Sequence, residues 1–304
     1  MDKIRISFLL PTYNEERNII NKLSNIWALH YPRELIEVII IDCSSDNTVN
    51  LINDWCEKHK ELKVILYHDD KRENAGVVFA TNKGIALSSG EIIIRTDADS
   101  TLEPDCIYHM LESFKDVKIG CVTGKPIPFG SLKETSYRNI NTTLQIIESH
   151  IDSTIISHGP FTAFRKSLNI HLPEGFGAED SGISVMTRKK GYRAILNPNI
   201  IFYETLSPDI REEQKTRRAT GLIAMLWKNK DVLFNIRYGL YGMLIFPFNF
   251  FITIILPIIL SPILIILILL NIKGGTIIET FQILLKAIHR LLFTKKATMY
   301  WSKS

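Results

Sequence analysis

Gly90-Glu-Ile-Ile-Ile-Arg-Thr-Asp-Ala-Asp-Ser100 is the stretch around which this sequence organises itself. Glu91 to Arg95 reads as a short buried strand, apolar in its middle and introduced by a glycine. It runs directly into Asp97 and Asp99. In extended chain, residues two apart project to the same side, so both acids leave the carboxyl end of the strand together. Placing two like charges there is unfavourable for packing, through repulsion and desolvation. A hard divalent cation held by carboxylate and phosphate oxygens removes both objections. An arbitrary Asp-x-Asp is most often a turn with two solvated acids, so the rest of the chain must distinguish the two readings.

The chain has 304 residues and a net charge of +4, too mild to argue for a nucleic-acid partner. Its apolar residues concentrate after Tyr238. Cys43, Cys56, Cys106 and Cys121 have no Cys-x-x-Cys spacing and fall in or beside expected core elements, which reads as structural thiols in a reducing compartment. Met1-Asp-Lys-Ile-Arg leads straight into a strand, so no signal peptide is expected.

Ile4 to Leu10 is a first strand, followed by a helix over Glu15 to Leu29 that Asn14 is expected to cap. Ile36 to Ile41 is a second strand, apolar except for Glu37 and ending at Asp42. Ser45 or Asp46 caps the next helix. Lys63 to Tyr67, a helix from about Gly76 to Ser88, and the strand carrying the two acids follow. Alternating strands and helices with short links predict an α/β fold, a mostly parallel sheet with helices on both faces. Such sheets bind ligands beyond the carboxyl ends of their strands. Pro11 to Glu15, Asp42 and the Asp97/Asp99 pair all fall there.

Pro11-Thr-Tyr-Asn-Glu-Glu16, Asp42-Cys-Ser-Ser-Asp-Asn-Thr48, Gly76 to Ala80 with Asn82 and Gly84, Asp97-Ala-Asp99, Glu179-Asp180, and Gln214-Lys-Thr-Arg-Arg218 with Gly221 resemble, in this order, the family 2 glycosyltransferases. Within that family the chain is similar to the membrane-anchored group of cellulose and hyaluronan synthase-like and polyprenyl-phosphate enzymes. The resemblance covers roughly the first 221 residues and implies the GT-A fold and a nucleotide-diphosphate sugar, by family habit a UDP-sugar. It implies that Pro11, Tyr13, Glu15 and Asp42 hold the nucleoside, with Asp42 near the base. Asp97 would reach the ribose or the metal, and Asp99 would ligate Mg2+ or Mn2+ on the diphosphate. Gln214, Arg217 and Arg218 would face the nucleotide sugar together, the two arginines supplying positive charge for the leaving group, since Arg217 and Arg218 lie three and four residues beyond Gln214 on one helical face.

Two positions depart from the family pattern. Val77 stands where a lysine often follows the glycine, and Arg218 stands where a tryptophan often lines the acceptor site. Asp180, ahead of a helix, is expected to act as general base on the acceptor hydroxyl, in preference to Glu179; an N-cap role would explain an acid there equally well. Direct attack opposite the leaving group would invert the anomeric centre. His158 reads as a packed or hydrogen-bonded residue rather than a base.

Gly239 to Ile272 carries no charged side chain and is interrupted by Pro247, Pro257 and Pro262. Its length fits a membrane segment, and basic flanks on both sides favour a hairpin turning near Leu260-Ser261-Pro262 over a single span, with the catalytic part cytosolic. The expected organisation is a catalytic domain over 1–210, a basic interfacial helix over 211–238, the membrane segment over 239–272 and an amphipathic, basic tail over 273–304. The function expected is inverting sugar transfer to a membrane-associated acceptor, lipid-linked or glycan, at the cell membrane, with no nucleic-acid partner. A processive polysaccharide synthase, a nucleotidyltransferase and an inactive membrane scaffold are the competing readings.

Overall fold

The structure is a computed structural model that describes residues 3–70, 76–129, 132–174, 177–205, 211–269 and 276–293. Strands Ile6–Thr12 (β1) and Ile36–Asp42 (β2) are buried along their whole length, which is why their sequences are nearly continuous apolar runs. Their side chains still alternate between two faces. Phe8, Leu10, Val38, Ile40 and Ile94 join one core with the helices Ile19–Trp27 (α1), Thr48–Lys58 (α2) and Cys106–Ser113 (α4). Leu9 and Ile93 point to the other, against Val77–Leu87 (α3) and Glu179–Lys189 (α6).

The remaining strands are Lys63–His68 (β3), Ile92–Arg95 (β4), Ser100–Leu102 (β5), Ile119–Phe129 (β6), Thr162–Arg165 (β7) and Arg193–Thr205 (β8). The sheet order is β3-β2-β1-β4-β7-β6-β8-β5. β3, β2, β1 and β4 are mutually parallel, whereas β7 runs antiparallel to β4 and β6, and β5 antiparallel to β8. The expected parallel half is therefore present, and a mixed half is built onto its β4 edge.

Asn14 does not cap the first helix. It adopts a left-handed conformation, φ 54°, its N–H donates to Ser44 Oγ at 2.8 Å, and its Oδ1 accepts from the Ser45 N–H at 2.9 Å. α1 starts only at Ile19, because Asn14 is used to tie the β1 and β2 loops together.

Beyond β8, helix Arg211–Lys228 (α7) leads to a helical run through Tyr241–Ile245, Phe246–Phe250 (α8), Phe251–Ile255 and Leu256–Leu269 (α9). The turn expected near Leu260-Ser261-Pro262 is not formed, since Pro262 lies inside α9. Pro262 lacks the N–H that would reach the Ile258 carbonyl four residues back, and the Ser261 hydroxyl donates to that carbonyl instead, at 2.8 Å. The segments Tyr241–Ile245 and Phe251–Ile255 are wide π-turns two residues before Pro247 and Pro257. Helix Thr276–Phe293 (α10) packs on α7 and α9, with Ala287 fully buried in their shared cluster.

Candidate active site

At the carboxyl ends of β1, β2 and β3 the Asp42 carboxylate is completely enclosed. Its Oδ2 accepts from the Thr12 and Ser44 hydroxyls at 2.7 and 2.6 Å, and its Oδ1 from the Ser44 N–H and His68 Nδ1 at 2.9 and 2.7 Å. It lines a small cavity with Ile41, Cys43, Asp69, Gly76, Phe79 and Ala80. With both oxygens engaged, Asp42 shapes that wall more than it offers a free acceptor to a ligand. Asp69 and Phe79, which the sequence did not single out, line the same cavity. Pro11 is buried one residue before the end of β1, and Tyr13 is half-buried in the following loop. Glu15 is fixed by its N–H to Thr48 Oγ1 at 2.9 Å and by Asn18 Nδ2 donating to its Oε2 at 2.7 Å.

The Asp97–Asp99 loop rests on two cations that sequence reasoning passed over. Arg95, buried at the end of β4, donates to Asp97 Oδ1 from Nη1 and to Glu179 Oε1 from Nη2 at 2.6 Å. Burial works against its charge, but Asp97, Glu179 and Asp180 outweigh it and raise its pKa. Lys22 is fully buried on α1 and donates to the Ser100 carbonyl and hydroxyl at 2.8 and 3.0 Å. Burial lowers its pKa to about 7 while Asp97 and Asp99 pull it back up. Both had a signal: Lys22 falls on the apolar stripe of α1, three residues from Ile19, and Arg95 closes an all-apolar strand. Gly159 permits the close approach of the next loop, since a Cβ there would lie 2.3 Å from Arg95 Nη1 and 2.5 Å from Asp97 Oδ2.

Asp99 meets solvent, but within a protein-walled recess. Desolvation, then Asp97, Glu15 and Glu204, push its carboxyl up to about 6, with Arg218 opposing. A cluster of acids that resists ionisation is what a bound divalent cation would relieve. Among the described residues no group of three or more His, Cys, Asp or Glu side chains forms a metal cage. Asp97 and Asp99 are two oxygen-donor side chains, so a hard ion of the Mg2+ or Mn2+ type held there would need its remaining ligands from water and phosphate oxygens.

Asp180 sits in the first turn of α6, partly open, its Oδ1 accepting from the Ser181 N–H at 2.6 Å. Burial, then Glu179, raise it to about 7 against Arg95 and that N–H. Its neighbour Glu179 is buried and committed to Arg95. On α7, Arg217 and Arg218 are exposed, and Arg218 lies within the field of Glu204, Asp97, Asp99 and Asp180. The Gln214 side chain lies outside the described residues. Gly221 explains how α7 is placed: a Cβ there would lie 2.2 Å from the Gly177 carbonyl oxygen, so the backbone of α7 touches the segment leading into α6. His158 is a packed residue; its Nε2 bonds Gln145 Oε1 at 3.0 Å and its ring tilts against Phe202.

A mixed α/β sheet of this order, with helices on both faces and acids gathered at its strand ends, is the GT-A fold. The Glycosyl transferase family 2 model matches residues 7–173 and the Glycosyl transferase family group 2 model residues 92–278. The chain belongs to the family 2 glycosyltransferases. It is 33% identical over 203 residues to the poly-beta-1,6-N-acetyl-D-glucosamine synthase of Staphylococcus aureus, covering 64% of this chain and 48% of that one. It thus spans about half the length of the curated relatives it matches. The mannosyltransferase PcManGT of Pyrobaculum calidifontis, solved in complex with GDP-Man and Mn2+, superposes with a TM-score of 0.77 at 25% identity, covering 96% of this chain and 88% of that one. S. aureus TarS 1-349, solved in complex with UDP-GlcNAc, shares the fold with a TM-score of 0.52 at 16% identity, over 75% and 70% of the two chains.

Proposed function

We propose that the protein is a metal-dependent, inverting glycosyltransferase that moves a sugar from a nucleotide-diphosphate sugar, a UDP-sugar by preference, to a membrane-associated, lipid-linked or glycan acceptor. The observation that carries this reading is the division of labour between Glu179 and Asp180. Glu179 is locked to Arg95, whereas Asp180 is partly open and has its pKa raised to about 7. A base is most effective when its pKa lies near the working pH, so Asp180 is suited to accept the acceptor hydroxyl's proton during attack on the anomeric carbon.

Pro11, Tyr13, Glu15 and the Asp42 cavity would receive the nucleoside, with Asp42 organising the wall. Asp97 and Asp99 would hold Mg2+ or Mn2+, which when bound supplies Lewis-acid stabilisation to the departing diphosphate. Arg218, with Arg217 and Gln214 on the same helix, adds charge at the open side of the site.

Residues 1–210 would form the catalytic domain, 211–238 a basic interfacial segment, 239–272 the membrane segment and 273–304 an amphipathic, basic tail. The helix Tyr241–Pro262 is long and apolar enough to cross a membrane. The basic segment that precedes it, 211–238, would favour the cytoplasmic face of the cell membrane for the catalytic domain. A processive polysaccharide synthase is the second reading, favoured by the identity to the staphylococcal synthases. Incubating membranes containing the protein with a panel of labelled nucleotide sugars, followed by lipid extraction, tests the proposal. Label in a single-sugar lipid product supports it, label in a polymer favours the second reading, and no metal-dependent transfer from any donor would sink both.

A further inference from the structure

Helix Leu132–Ile151 (α5) presents an outer face that does not suit water. From 139 to 151 its exposed positions are Asn139, Ile140, Thr143, Leu144, Ile147, His150 and Ile151, without one Asp, Glu, Lys or Arg. Ile140 is 62% exposed and Ile147 48%. The apolar members recur at intervals of four, three and four residues, a stripe along one side of the helix. An amphipathic helix normally turns its apolar stripe inward, and this one also has a buried inner side in Thr142, Gln145 and Ser149. The polarity is inverted: small polar groups face the protein and branched hydrocarbon faces out.

The start of the apolar helical run has a matching stripe, Leu240, Leu244, Phe248 and Phe251, also exposed. Two polar clamps hold these helices side by side. Asn249 Nδ2 donates to Glu148 Oε1 at 2.6 Å. Asp152 accepts from Arg188 Nε at 2.9 Å and from the Tyr241 N–H at 3.4 Å, while Arg188 Nη2 donates to the Tyr238 carbonyl at 2.9 Å. The α5 stripe is thus continuous with the segment long and apolar enough to cross a membrane. Between the two, at the α5 carboxyl end, exposed Arg237 follows Ile236, a cation beside an 81%-exposed hydrocarbon side chain.

We propose that the outer face of α5 lies in the headgroup–acyl boundary of the bilayer, as a second membrane contact beside the apolar run. The inference rests on the membrane-anchor reading above and deepens it. Continuity with that run and the lack of charge fit lipid better than a second protein copy, whose interface rim would carry polar groups. The consequence concerns the acceptor. On the inner side of α5, Gln145 holds His158, and the His158-Gly159 turn abuts Asp97. The bilayer would then lie about one helix diameter, roughly 10 Å, from the reacting loop. A lipid-borne acceptor need emerge only that far to be reached.

The test uses the full chain in vesicles containing anionic lipid and acyl-chain nitroxide quenchers. An environment-sensitive fluorophore is attached to single cysteines replacing Leu144, Ile147, Ile259 on the apolar run, or Asp54 on α2, with Cys56, the one native thiol that is not fully buried, replaced by serine. Labels at 144 and 147 are expected to shift to the blue and be quenched like the label at 259, with the label at 54 unaffected. Quenching at 259 but not at 144 or 147 would overturn the proposal and leave the anchor intact. No quenching at 259 would overturn the anchor reading and this inference with it. A blue shift at 144 without lipid, growing with protein concentration, would assign the face to a second copy and also overturn the proposal. Donor hydrolysis by each labelled protein verifies that it is folded.

Discussion

Replacing Asp180 by asparagine separates proton removal from structure, because the amide is nearly isosteric and its oxygen can still accept from the Ser181 N–H, now at 2.6 Å. Asp180 is held at about 7 instead of its ordinary 3.8, first by burial and then by Glu179. Its folded pKa is the higher one, so the carboxyl's contribution to stability is complete below about 3.8 and is lost as pH rises through about 7. At 1.36 kcal/mol per pH unit the difference bounds the cost of the ionised side chain at about 4 kcal/mol. Asp180 is partly open to water, which screens it, so about 1–2 kcal/mol is expected. Asp180→Asn should therefore unfold a few degrees higher at pH 8 and match the parent at acid pH. Transfer should fall by ~10²–10⁴, the range usual for a lost general base. In the parent, transfer should rise with pH through about 7, and in the variant the residual rate should not. The assays are thermal unfolding in detergent across pH and initial-rate transfer with a labelled donor. Normal transfer by Asp180→Asn, with loss in Glu179→Gln, would refute the choice of base; a Tm decrease at pH 8 would refute the electrostatic account.

Asp99→Asn should abolish metal-dependent transfer while leaving the unfolding temperature of the metal-free protein unchanged or slightly higher, because it removes a carboxyl held at about 6 by desolvation and then by neighbouring acids; transfer by the variant in the presence of chelator would remove Asp99 from the metal site. Gly221→Val should reduce transfer strongly at modest cost to the rest of the fold, because its side chain would push α7, and Arg218 with it, off the Gly177 backbone; an unchanged rate would mean that the α6–α7 contact does not position the site. Glu37→Gln tests the β1–β2–β3 base of the sheet. Burial alone would raise the Glu37 carboxyl, but Lys63, Ser7 and Ser89 hold it at about 2. Its stabilisation is present above about 4.5 and lost as pH falls through about 2, with an upper bound of about 3 kcal/mol at 1.36 kcal/mol per pH unit. The variant should therefore be less stable at neutral pH and equal to the parent near pH 2, as measured by chemical denaturation.

The half of the fold that obeys simple periodicity was legible. β1, β2 and β4 are short runs whose burial on both faces leaves a nearly unbroken apolar sequence, β3 is a partly buried edge strand beside them, and the acids at the strand ends stand where parallel sheets bind ligands. The mixed half was legible only in part, at Ile119 to Val122 and Thr162 to Arg165, because β6 and β8 carry Thr123, Pro126 and Pro128 or Asn197, Pro198 and Asn199, and their pairing joins residues more than 70 positions apart. Asn14 shows a second limit. As a residue type it signals a helix cap, and only the neighbouring Ser44 and Ser45, thirty residues on, determine that it serves a loop junction instead. Pro262 shows a third, since one hydroxyl, that of Ser261, was enough to keep the helix whole.

The least legible feature was the charge plan, and it bears most directly on chemistry. Glu15, Asp97, Asp99, Glu179, Asp180 and Glu204 converge around the Asp97–Asp99 loop, and Arg95, Lys22 and Arg218 are the cations placed against them. Lys22 is drawn toward its neutral form by burial, which leaves even less positive charge behind the loop. An acidic site of this kind would repel the diphosphate of a nucleotide sugar. Were Asp97 and Asp99 to hold a divalent cation, as proposed above, the same carboxylates would favour the donor instead, and Arg218 would add positive charge from the open side. Donor and metal should therefore bind with positive coupling, each raising the affinity of the other by the same factor. The same cation would favour the ionised form of Asp99 and leave Asp180, which lies on another element and is raised to about 7, as the carboxyl suited to take a proton. The proposed metal requirement and the proposed acid–base assignment would thus be two consequences of one local excess of negative charge.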